Sequence, residues 1–110
     1  MSIILNIETS TSVCSVAIAK DGNILAYKES PGERSHATLL TPYIEEVLET
    51  SGISTEDLDG IAVSKGPGSY TGLRIGVSTA KGMAYALHKP LIAIGTAAAV
   101  IVIFFTVRSE

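Results

Sequence analysis

The chain has 110 residues, 46% hydrophobic and 5% aromatic, with no tryptophan and a formal net charge of −3. That length allows one domain with one modest core, and a composition rich in Ile, Val, Leu and Ala points to an α/β domain. A single cysteine, Cys14, excludes an internal disulfide and suits a reducing compartment.

The N-terminal run Met1-Ser2-Ile3-Ile4 has no positively charged region ahead of it, so no secretory signal is expected. Ile3 to Ile7 reads as a buried strand, followed by a polar turn from Glu8 to Ser12. Val13 to Ala19 reads as a second strand, which makes Cys14 a buried, inert thiol in preference to a nucleophile. Lys20-Asp21-Gly22-Asn23 is a hairpin turn, and Ile24 to Tyr27 a third strand. Ser30-Pro31-Gly32 breaks the pattern.

From Ser35 the apolar positions Leu39, Leu40, Tyr43, Ile44, Val47 and Leu48 have the spacing of an amphipathic helix. Glu45, Glu46 and Glu49 take its other side, and Gly52 is the expected stop. Pro42 either kinks this helix or begins it from Thr41 as the first helical residue. Ser54 to Leu58 looks like a short capped turn, and Ile61 to Ser64 a fourth strand.

There follows Lys65-Gly66-Pro67-Gly68-Ser69-Tyr70-Thr71-Gly72-Leu73-Arg74-Ile75-Gly76, the most distinctive stretch of the chain. A strand, a Gly-Pro-Gly turn and a glycine-studded helix invite a phosphate-loop reading. The spacing excludes the usual versions. No GxxxxGK[ST] can be laid on it, and in GxGxxG the third glycine is replaced by Thr71.

The helix runs on to Leu87, with Gly72, Gly76 and Ala80 close together on one face. Its apolar and small positions span an arc of roughly 200°, where a helix covering one sheet needs only about 100°. Two readings follow: a helix sandwiched inside its own domain, or one packed on a sheet on one side and a partner on the other. Pro90 ends it, and Leu91 to Ile94 form a fifth strand. The order βββαβαβ implies a mixed five-stranded sheet with right-handed crossovers. This is one lobe of the actin, sugar-kinase and Hsp70 type, an analogy that speaks to fold alone.

Charge is divided along the chain. Residues 1–59 hold three basic and ten acidic side chains, and residues 60–110 five basic and one acidic. Lys65, Arg74, Lys81, Lys89 and Arg108 are scattered without aromatic interleaving, too thin for autonomous nucleic-acid binding. They could supply one edge of a composite surface.

Ile7-Glu8-Thr9-Ser10, Ser15-Val16-Ala17-Ile18, Arg34-Ser35-His36 followed by Leu40, Pro42 and Ile44, and above all the glycine run at 65–76 closely resemble the bacterial TsaB (YeaZ) family. The resemblance covers about residues 2 to 96. It implies a non-catalytic subunit of the machinery that makes threonylcarbamoyladenosine on tRNA, in the cytoplasm and away from membranes. It implies binding to the catalytic paralogue TsaD, through it to the ATPase TsaE, and contact with tRNA only indirectly. Pairing in the family uses the two helices, which carries an interface onto Leu40, Ile44, Gly72, Leu73, Arg74, Gly76, Val77, Ala80 and Lys81. A homodimer through the same helices is the other expected pairing.

The resemblance also says where chemistry is absent. TsaD holds a metal through a His-x-x-x-His motif after its fifth strand, and here that place reads Ile94-Gly95-Thr96-Ala97-Ala98. His36 and His88 stand at the start of one helix and the end of the other, as caps or surface contacts and not as a metal site. No cofactor is expected on this chain, with ATP and metal belonging to partner subunits. Thr9, Ser10, Gly66 and Gly68 are the weak nucleotide-binding candidates. They support a rival reading as an ATP-dependent phosphoryl or carbamoyl transferase. A glycoprotease reading lacks a Ser/His/Asp or metal constellation, and a self-associating structural module is the third alternative.

Residues 1–96 are the expected lobe and residues 97–110 an apolar tail foreign to the family, so a truncated or frame-shifted product lacking a second lobe is expected. The tail is shorter than the ~20 residues of a membrane span, and its β-branched run favours a strand.

Overall fold

The computed structural model describes residues 2–9, 13–30, 36–67 and 70–95, with His36 and Tyr70 described by backbone alone. The expected tail lies outside the described residues.

Two interior residues per strand, two positions apart, fix the register. In β1 (Ile3–Glu8), Leu5 and Ile7 stand opposite Ile18 and Val16 of β2 (Ser15–Lys20) on one side. On the other they stand opposite Ile61 and Val63 of β4 (Gly60–Gly66). All six are buried on one face, where a slip of one residue would turn them outward. β3 (Asn23–Glu29) and β5 (Leu91–Gly95) complete a sheet of order β3-β2-β1-β4-β5. The β1–β2 and β2–β3 pairs are antiparallel, and the β1–β4 and β4–β5 pairs parallel. The βββαβαβ order and mixed sheet read from the sequence are those observed.

Turn chemistry matches the strands it joins. Asp21 and Gly22 have φ of 52° and 85°, the doubly left-handed backbone of a two-residue hairpin loop. Asp21 also accepts a hydrogen bond from Ser2 N–H at 2.8 Å, and Asp59 Oδ2 accepts one from Ile3 N–H at 2.8 Å. These tie down the chain where it enters the central strand.

α1 (His36–Ser51) lies over β2 and β3, and α2 (Tyr70–Leu87) over β4. Leu40, Ile44 and Val47 of α1 and Ala80 and Ala84 of α2 join the six strand residues in one core cluster. Pro42 sits inside α1, which begins before it, so the alternative start at Thr41 is corrected. Proline is tolerated because Pro42 and Thr38, whose carbonyl loses its intrahelical donor, both face solvent.

Both helices end in the same way. Gly52, at φ 72°, donates to Glu49 O at 3.2 Å, and Ile53 N–H donates to Leu48 O at 3.2 Å. At the end of α2, His88 takes the left-handed position with φ 55°, and Lys89 N–H donates to Ala84 O at 2.9 Å. Each is the bonding pattern that satisfies the last carbonyls of a helix.

Candidate functional site

The small-residue stripe on α2 points inward. A Cβ added to Gly76 would run into Thr9 Oγ1 at the end of β1, and Ala80 is fully buried. Gly72 is buried as well. Close approach is therefore used between helix and sheet, where it lets α2 sit against β1 and β4. The assignment of Gly72, Gly76 and Ala80 to a partner interface is corrected on that ground. Leu40 and Ile44, 1% and 5% exposed, are corrected for the same reason, since they belong to the lobe's own core.

The remaining candidates stay accessible. Arg74 and Lys81 are exposed, while Leu73 and Val77 are half-buried along one flank of α2. Arg74, Ser78, Lys81 and Tyr85 form an exposed stripe at helical spacing. Tyr85, 84% exposed, is the most prominent large apolar side chain on the described surface. It was missed because a single tyrosine beside Lys81 reads as part of a solvated face; its spacing from Arg74 and Lys81 was the available signal.

A groove of about 390 Å³ joins the two helices, lined by Ala37 of α1 and Thr71, Arg74, Ile75, Ser78 and Thr79 of α2. On its far side α1 exposes Thr38, Thr41, Glu45 and Glu49. The paired helices thus present an acidic strip beside a basic one. Glu46 is engaged within the lobe, 3.3 Å from Lys28 Nζ, which in turn lies 5.6 Å from the centre of the Tyr43 ring.

Of the nucleotide-binding candidates, Thr9 just after β1 and Gly66 at the end of β4 stand at the C-terminal ends of adjacent parallel strands. Thr9 is fully buried with its hydroxyl turned onto Gly76, and among the described residues no hydrogen-bond partner reaches that oxygen. Gly66, with φ 110°, ends β4 opposite Gly95. Ser10 and Gly68 lie outside the described residues.

A polar row crosses the face of the sheet opposite α1 and α2. Ser15 stands between Glu8 and Glu29 in the strand register, and all three share a face with Tyr27 and Ser64. Glu8, Ser15 and Ser64 are buried. Burial raises the pKa of Tyr27, the Glu29 charge and hydrogen bond raise it further, and its hydrogen bond to Ser15 opposes them. Cys14, next to this row, has its pKa pushed up to about 11 by burial, which keeps the thiol protonated and inert. Among the described residues no group of three His, Cys, Asp or Glu side chains could hold a metal ion. None of the described helices is long and apolar enough to cross a membrane.

Comparison with known proteins gives this lobe its relatives. The family model described as "TsaD: tRNA N6-adenosine threonylcarbamoyltransferase" matches residues 29–109. The tRNA threonylcarbamoyladenosine biosynthesis protein TsaB of Escherichia coli is 41% identical over 93 residues, which is 84% of this chain and 40% of that protein. A tRNA N6-adenosine threonylcarbamoyltransferase of Staphylococcus haemolyticus is 40% identical over 107 residues, covering 83% of this chain and 31% of that one. The solved structure of YeaZ from Pseudomonas aeruginosa superposes with a TM-score of 0.79 at 36% identity, over 86% of this chain and 43% of that one. The chain spans about two fifths of the length of the TsaB proteins it matches. Motif, topology and relatives agree: the chain belongs to the TsaD family, and its lobe is of the TsaB (YeaZ) type.

Proposed function

We propose that this chain serves tRNA threonylcarbamoyladenosine synthesis as a non-catalytic subunit, docking on the catalytic subunit TsaD through the outer faces of α1 and α2. The observation that carries the reading is the Arg74, Ser78, Lys81 and Tyr85 stripe, with Tyr85 84% exposed and with Arg74 and Ser78 lining the groove between the helices. An exposed aromatic flanked by cations is the composition of an interface anchor. Leu73 and Val77 would close against the partner at the flank of α2. The relatives named as biosynthesis proteins support the pathway. TsaE joins through TsaD, a homodimer competes for the same helices, tRNA is met only through the complex, and the site of action is the cytoplasm. ATP and metal belong to the partner subunits.

Titration calorimetry of the chain against TsaD tests this. Binding is expected, with Tyr85→Ala weakening it at least tenfold while the melting temperature is kept. Unchanged affinity in that variant, or no binding by the parent chain, would sink the docking assignment. The rival reading as an ATP-dependent transferase has in its favour the relatives named as transferases. Calorimetry of the chain alone with ATP and Mg²⁺ separates the two. A micromolar constant would favour the rival.

A further inference from the structure

We draw no further inference here: the strongest candidate, the charge-free outer edge of β5 where Leu91 and Ile92 are 37% and 41% exposed, is an apolar edge unpartnered among the described residues, and nothing in the structure shows what covers it.

Discussion

At Gly76 there is no room for even one methyl group, because Thr9 Oγ1 occupies the place. Gly76→Ala gains helix propensity of about 1 kcal/mol but overpacks the helix–sheet contact, at a cost of roughly 1–3 kcal/mol. The net expectation is a lower urea midpoint. The Thr9→Ala, Gly76→Ala double variant should recover part of the loss, since the colliding oxygen has no hydrogen bond among the described residues to forfeit. Gly82 provides the contrast, with nothing within 4 Å of an added Cβ. There the same change should stabilise by up to about 1 kcal/mol; equal effects at both sites would refute the packing account. Cys14 yields a pH prediction. Its folded-state pKa is raised from 9.0 to about 11, so the native state disfavours the thiolate. The unfolded chain loses that proton first, and stability falls as pH rises from about 9 to 11. Raised Tyr27 acts in the same direction. Urea midpoints across that range should decline less steeply in Cys14→Ala.

Among the elements, α2 shows how far a helical wheel can be read. Its over-wide apolar arc was visible in the sequence, and so was the crowding of Gly72, Gly76 and Ala80. Which way the stripe faced was not, because the atom that decides it, Thr9 Oγ1, belongs to a residue far away in sequence. The wheel shows which residues share a face but not what that face meets. On the exposed side, charge reversal in Lys81→Glu should weaken TsaD binding by an amount that shrinks as salt is raised, since an exposed cation acts through a screened field. A salt-independent loss would mean that the side chain packs at the centre of the contact. The end of α2 carries a second expectation. His88 holds a left-handed backbone that a residue with a Cβ adopts at a cost of roughly 1–2 kcal/mol. His88→Gly relieves it, offset by the greater freedom of glycine in the unfolded chain, and should raise stability by about 1 kcal/mol. Thermal unfolding of the two forms measures the difference.

For the whole lobe, element order and hairpin chemistry were legible because both are local: period-two runs, Asp21-Gly22, Gly52 and Pro90 act within a few residues of themselves. The polar row of Ser15, Glu8, Ser64, Tyr27 and Glu29 was not legible, since it exists only once four strands are in register. Stability should be graded across the same sheet. β1 lies between β2 and β4, whereas β5 is an edge strand with Leu91, Ile92 and Ala93 exposed. Hydrogen exchange should therefore be slowest at Leu5, Ile7, Ile61 and Val63, and several orders of magnitude faster along β5. Uniform protection across all five strands would contradict that grading.

The hydrogen bond from Ile3 N–H to Asp59, partners 56 residues apart, has a consequence for biosynthesis. β1 leaves the ribosome before the other four strands yet occupies the middle of the sheet. With β2 and β3 it can form a meander early, but its other edge stays open until β4 emerges. Translation at about 5–20 residues per second leaves that apolar edge unguarded for several seconds. A nascent chain paused before β4 emerges would thus present its central strand to chaperones, and one paused after β4 has emerged would have covered it.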